Sequence, residues 1–248
     1  MIPRFLYFLL LLLLPASLFA QDATEIVRAA IDYWRDTTSY TEAEMTVHRP
    51  DWSRSMSLRA WTKGQTQSLV RFTSPAKDAG NASLRDGRNM WSFSPKVNKV
   101  IKIPPSMMTQ SWMGSDFSYN DLTKGDDIVK LYTHRLLNSI QQDGHTHFEV
   151  EAIPFEDAAV VWGKEVLTIR DDHIMLRHRF FDQEGRLIKE LTAREIGQLG
   201  GKLIAKRIRM EKVEEANTWT EMAHQAAQFR IEFPESTFTL ANLSNPQE

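Results

Sequence analysis

Apolar residues change their spacing once along this chain, and that change predicts its architecture. From Asp22 to Asp36 they recur every three or four positions, so that Ile26, Ala30, Tyr33 and Trp34 share one face. This is the period of an amphipathic helix. Asp22 stands where an N-cap belongs, and Glu25 three residues later could complete a capping box. Two aromatics close the apolar face, so the helix must lie on something apolar.

After Asp36 the period becomes two. Ala43, Met45 and Val47 alternate with polar residues, as do Met56, Leu58 and Ala60, and then Ser68, Val70 and Phe72. Met90 to Phe93 and Val97 to Ile103 continue the alternation, which is the signature of half-buried strands. Further strands are expected over 128–138, 145–153, 160–170, 173–181, 186–195, 203–214 and 218–232. Gly, Pro, Asn and Asp cluster between them, as at Asp86-Gly87, Gln142-Asp143-Gly144 and Gly200-Gly201. The result is about eleven short strands in succession, joined mostly by tight turns. Such a meander closes either as a sandwich or as one bent sheet. A single helix ahead of it favours the second: a mainly β fold (α+β) whose strongly curved antiparallel sheet forms an incomplete β-barrel. The N-terminal helix and an irregular or helical loop would close it.

Composition refines this picture. The 248 residues carry a formal net charge of −2, with the basic residues scattered. Nucleic acid is therefore not an expected partner, because phosphate binding needs a concentrated basic face. Cysteine is absent, which excludes disulfides, thiolate catalysis and Cys-ligated metals. Seven Trp and thirteen Phe can supply the packing instead.

Residues 1–20 have the layout of a cleaved signal peptide: Arg4, an apolar run from Phe5 to Leu14, Pro15, and small residues up to Ala20. The run is about half of what spans a bilayer. The expected mature protein is one domain over residues 21–248. It would be soluble and periplasmic, and not a lipid-anchored lipoprotein, because no Cys follows the cleavage site.

One stretch keeps neither period. Residues 104–122 carry Met107, Met108, Trp112, Met113, Phe117 and Tyr119 among small polar residues. Loops normally lie on the surface, so this much apolar side chain must fold inward or meet a ligand. Methionine suits surfaces of variable shape.

Around this stretch the chain resembles the LolA-like outer membrane lipoprotein-sorting proteins. The resemblance rests on Asn81 to Arg85, Asn89-Met90-Trp91-Ser92-Phe93-Ser94-Pro95, Val100 to Pro104, and Trp112-Met113-Gly114-Ser115-Asp116-Phe117-Ser118-Tyr119-Asn120-Asp121-Leu122. It implies an incomplete β-barrel closed by helices, with an apolar interior that holds acyl chains of a lipoprotein or another lipid. It also implies an inner-membrane transporter and an outer-membrane acceptor as partners. The lipid-binding residues expected from the alternation and from the loop are Trp34, Met45, Val47, Leu58, Phe72, Trp91, Phe93, Met107, Met108, Trp112, Met113 and Phe117. The first helix and the 104–122 loop are the expected covering elements.

Enzymatic chemistry finds little support. His145 and His147 share a strand face about 7 Å apart, with His173 and His178 as possible third ligands, yet no H-E-x-x-H spacing exists. Neither a metal nor any other cofactor is expected. Asp126-Asp127, Asp171-Asp172 and Glu214-Glu215 are adjacent pairs, read as turn residues and solvated edges, since neighbours in a strand face opposite ways. No G-x-S-x-G elbow or phosphate-cradling Gly loop occurs. Lys202 to Lys212 alternates basic and apolar residues, a solvated face or a dock for an acidic partner. The function expected is a periplasmic carrier of acyl chains between the two membranes, not an enzyme. The alternative is a sensor or adaptor of the same fold that docks on a transport complex without carrying lipid.

Overall fold

Asp22 caps the first helix, α1 (Ala23–Arg35), by accepting a hydrogen bond from the Thr24 amide at 2.9 Å. Glu25 turns away from the cap and pairs with Arg28 at 3.1 Å, so no capping box closes. In this computed structural model the described residues are 22–246, except 124, 125 and 159. The leader expected over residues 1–20 lies outside them.

Six strands follow: β1 (Thr38–Arg49), β2 (Trp52–Lys63), β3 (Gln67–Ser74), β4 (Ala82–Asp86), β5 (Asn89–Ser94) and β6 (Lys99–Lys102). A 3-10 turn (Pro105–Met107) and two short helices, α2 (Tyr119–Thr123) and α3 (Asp127–Lys130), interrupt the meander. It resumes with β7 (Tyr132–Gln142), β8 (His145–Pro154), β9 (Lys164–Arg170), β10 (Met175–Phe181), β11 (Leu187–Leu199), β12 (Lys202–Lys212) and β13 (Trp219–Phe229). A second 3-10 turn (Glu235–Phe238) and α4 (Leu240–Ser244) come last. Tight hairpins account for the simple order. Asp143 and Gly144 both have positive φ, 52° and 80°, the requirement of a two-residue turn that matches strand twist.

All thirteen strands form one antiparallel sheet, in the order β6-β5-β4-β3-β2-β1-β13-β12-β11-β10-β9-β8-β7. The β1–β13 pair is the seam between two meanders, and β6 and β7 are the outer edges. The sheet is strongly bent. Six strand spacings separate β3 from β10 in that order, about 29 Å if the sheet were flat. Yet Phe72 of β3 and Phe180 of β10 belong to one apolar cluster with Trp112 and Phe117. Only a sheet curled around the 112–122 segment brings them together. This is the incomplete barrel that the alternation predicts.

Three clusters hold it. On the inner face of β7–β9, Ile26, Val27 and Ala30 of α1 pack on Val150, Ala152, Leu167 and Ile169. At the centre, Met45, Val47, Met56, Leu58 and Phe72 pack under Trp112 and Phe117. The third lies on the convex face, where Phe233, Phe238 and Leu243 cover Leu69, Leu84, Trp91 and Phe93.

The structure adds elements that the alternation misses. β4 is short, and two of its five residues, Ser83 and Arg85, are polar groups buried on the inner side. Ser83 Oγ accepts from the Trp112 indole at 3.1 Å, while Arg85 bonds Gln65 and Gly87 carbonyls. α3 takes the first residues of the strand expected from 128.

Candidate functional site

The curl leaves a cavity of about 380 Å³ on the inner face, near the lower end of the ~300–1,000 Å³ range of small-molecule sites. Leu191 and Ala193 of β11, Ile204 and Ile208 of β12 and Met222 of β13 form its floor. The last turn of α1 covers one side with Ile31, Tyr33 and Trp34, and Trp112, Phe117 and Leu122 cover another. Trp34 lines the cavity and is still 38% exposed, so its indole forms part of the rim.

Both covers are fastened. The Tyr33 hydroxyl donates to the Leu203 carbonyl at 2.8 Å, and Lys202 pairs with Asp36 at 3.1 Å. Asp121 of α2 pairs with the buried Lys189 of β11 at 2.6 Å. Lys189 also lies about 5 Å from the rings of Trp162 and Phe180, where a cation gains from the ring quadrupoles.

Several polar groups line this space among the apolar ones. Glu165 is buried; it accepts from the Tyr132 hydroxyl at 2.5 Å and lies 2.6 Å from His178 Nε2. Burial, and then the Glu165 carboxylate, push the Tyr132 phenol far above its ordinary range, so Tyr132 keeps its proton and donates it to Glu165. Arg35 donates through Nε to the Gly64 carbonyl at 3.1 Å, while its Nη2 is sealed from solvent without a partner. Burial and the like charge of Arg85 pull its pKa down to about 10.

His224 is another. Neither ring nitrogen has a partner or reaches solvent, and the ring meets Trp34 edge-on at 5.0 Å. Burial lowers its pKa from 6.5 to about 4. The folded protein therefore refuses a proton that the unfolded chain takes up below pH 6.5, and stability falls as pH drops from there towards 4. Between about pH 7 and about pH 4.5 this group removes roughly 2–3 kcal/mol. His134, also lowered by burial, adds in the same direction. Urea unfolding at both pH values should show a clearly smaller acid loss for His224→Leu than for the native chain. Equal losses in the two proteins would assign the effect elsewhere.

Of the residues expected to bind lipid, Trp34, Trp112 and Phe117 line the cavity. Met45, Val47, Leu58 and Phe72 face inward but are fully packed in the central cluster, and Met113 packs against its edge. Met107 and Met108 are half-buried in and beside the first 3-10 turn, away from the lining. Trp91 and Phe93 point the other way. They pair with Leu84 and Ala82 on the convex face, beneath the C-terminal segment. The alternation through Asn89–Ser94 fixes a period but not a phase, and Met90 occupies the inner position.

The second half of the chain supplies most of the remaining lining. One signal was available there: Glu165 stands in phase with Leu167 and Ile169, an acid in an apolar period-two row. Such a row demands a buried partner for the acid.

The histidines do not converge as a metal set. His145 lies 2.6 Å from Asp171 and near Asp172, whereas His178 faces the cavity. Asp172 is held by two bonds from Arg170, and Asp171 accepts from the Thr146 amide, so protein donors already serve these oxygens. Asp126 is not the solvated turn residue expected; it is buried between Lys130 at 2.6 Å and Arg85 at 3.8 Å. Along β12, Lys206, Arg207, Arg209 and Lys212 pair with Glu195, Glu221 and Glu215, so its basic side chains are matched by carboxylates. Among the described residues no helix is long and apolar enough to cross a membrane.

A family model described as an uncharacterized protein matches residues 64–245. No curated protein matches the chain. Among solved structures, a DUF1329 family protein from Desulfovibrio piger is 24% identical, with TM-score 0.79 over 90% of this chain and 99% of that one. An outer membrane lipoprotein-sorting protein domain from Vibrio parahaemolyticus is 23% identical, with TM-score 0.78 over 90% and 98%. A LolA superfamily protein from Nitrosomonas europaea is 22% identical, with TM-score 0.73 over 89% and 98%. At these identities the likeness is one of fold.

Proposed function

Since the chain belongs to the family of uncharacterized proteins whose model matches residues 64–245, and shares its fold with a LolA superfamily protein, we propose that it is a carrier that encloses an acyl chain of a lipoprotein or another lipid. The observation that carries this reading is the cavity of about 380 Å³ between the bent sheet and α1. Apolar side chains make up most of its lining, and among its polar groups Tyr132, Glu165 and His178 are bonded to one another. Each methylene moved from water into such a space contributes ~0.8 kcal/mol, so some sixteen give on the order of 13 kcal/mol before ordering costs. Binding needs no covalent step, and a carrier needs none.

The same proposal places the mature chain, one domain over residues 21–248, in the periplasm after cleavage at Ala20. Its partners there are an inner-membrane transporter that loads it and an outer-membrane acceptor that unloads it. Leu136, Leu137 and Ile140 on the edge strand β7 are exposed, which favours docking onto such a complex as a second role of the same molecule.

Native mass spectrometry of chain purified without detergent tests the carrier reading. The expected spectrum contains a lipid adduct that organic extraction removes and added hexadecanoyl lipid restores. A spectrum of bare protein alone, before and after incubation with that lipid, overturns the reading.

A further inference from the structure

The polar groups of the cavity differ in one respect that bears on what it holds. Glu165 has Tyr132 and His178, and Asp121 has Lys189. Arg35 has only one carbonyl for its guanidinium and leaves Nη2 buried and unpaired. A buried charged donor without an acceptor costs free energy that a well-placed partner would recover.

The surroundings of Arg35 deepen that deficit. Arg85 is also buried, and its charge acts on Arg35. Arg85 faces Asp126 at 3.8 Å, and Asp126 is already held by Lys130 at 2.6 Å. Asp126 thus pairs with two other cations and reaches Arg35 only through its field, while Asp127 acts on Arg85 from further off. Beside Arg35 on the same helix turn, Trp34 leads from the cavity to solvent. His224, against Trp34, adds two further ring nitrogens without partners.

We infer that Arg35 is the headgroup site of the cavity, and that the ligand is an anionic amphiphile. Its carboxylate or phosphate bonds Arg35 Nη2, and its chain runs over Ile204, Ile208 and Leu191. The inference rests on the carrier reading and adds to it the chemistry of the head. A guanidinium fork suits either oxyanion, because both present paired oxygens in its plane. A carboxylate would come from a free fatty acid and a phosphate from a lysophospholipid.

Delipidated full chain, titrated with hexadecanoate, 1-hexadecanoyl-lysophosphatidate and hexadecanol and followed by Trp fluorescence, tests this. Either anion should bind at least about tenfold tighter than the alcohol, the range expected of a charge-assisted hydrogen bond. Preference for the first or the second anion identifies the source of the head. Arg35→Gln should remove the preference while leaving hexadecanol affinity within about twofold. Arg35→Lys, which keeps the charge without the fork, should retain part of it. If acid and alcohol bind alike to the native chain, the headgroup inference is overturned and the carrier reading stands. If none of the three binds, both fall. Because the first comparison uses the native chain alone, a variant that fails to fold does not decide the matter.

Discussion

Ile208→Asp should abolish acyl-chain retention, lowering affinity by at least about 100-fold while the protein stays folded. Ile208 lies on the cavity floor, between Ala193 and Met222 in the sheet register. A carboxylate there must either lose its water when a chain enters or keep the chain out. An unpaired polar or charged group in an apolar space costs several kcal/mol, and about 3 kcal/mol already corresponds to roughly 100-fold. The empty protein escapes most of that penalty, because water can stand in the cavity beside the new charge. Gln225→Asp is the matched control, since it adds the same charge on an exposed position of β13, one residue from His224. Counting lipid adducts by native mass spectrometry in all three proteins separates the outcomes. Retention by Ile208→Asp equal to that of the control would remove the cavity from the binding site.

The bent sheet was legible in the sequence because period two is enforced wherever one face is buried. Ala43, Met45 and Val47 read as one row and form one row. Phase and neighbourhood were not legible. Trp91 and Phe93 satisfy the same period as Met90 and Ser92, and only the C-terminal segment decides which pair is covered from outside. That segment lies about 140 residues away in sequence, so no local pattern announces it. The irregular stretch 104–122 is marked by its apolar side chains, and two of them, Trp112 and Phe117, are buried against the cavity. Met107 and Met108 of the same stretch sit in and beside a 3-10 turn and are not part of the lining.

The polar part of the cavity was missed for a related reason. Arg35 and His224 are unremarkable as letters. Their meaning arises from what fails to reach them, and a missing partner leaves no trace in a single sequence. Lys189 and Asp121 illustrate the converse. Each sits in a different element, and neither suggests a buried pair until the curl brings them to 2.6 Å.

Asp116→Ala should be the most destabilising single truncation in the cover. The Asp116 side chain is fully buried, accepts from Arg49 Nη1 at 3.0 Å and Nη2 at 3.1 Å, and from Thr220 Oγ1 at 2.6 Å. Its amide donates back to Thr220 at 2.9 Å. Arg49 ends β1 and Thr220 is the second residue of β13, so this carboxylate fastens the 112–122 segment onto the seam between the two meanders. Its removal strands a largely buried guanidinium and a buried hydroxyl, at a cost of about 3–5 kcal/mol. For a chain of this size that corresponds to a fall in Tm of roughly 6–20 °C. Acyl-chain affinity should fall with it, since Trp112 and Phe117 flank Asp116 along the same segment. The pair Arg49→Met with Asp116→Leu separates charge stranding from loss of packing, because removing both partners spares the desolvation penalty. The double variant should recover more than half of the lost stability by calorimetry. A loss below about 1 kcal/mol for Asp116→Ala, within the range of exposed ion pairs, would mean that the segment is held by its aromatics alone, leaving it free to swing as the door of the cavity.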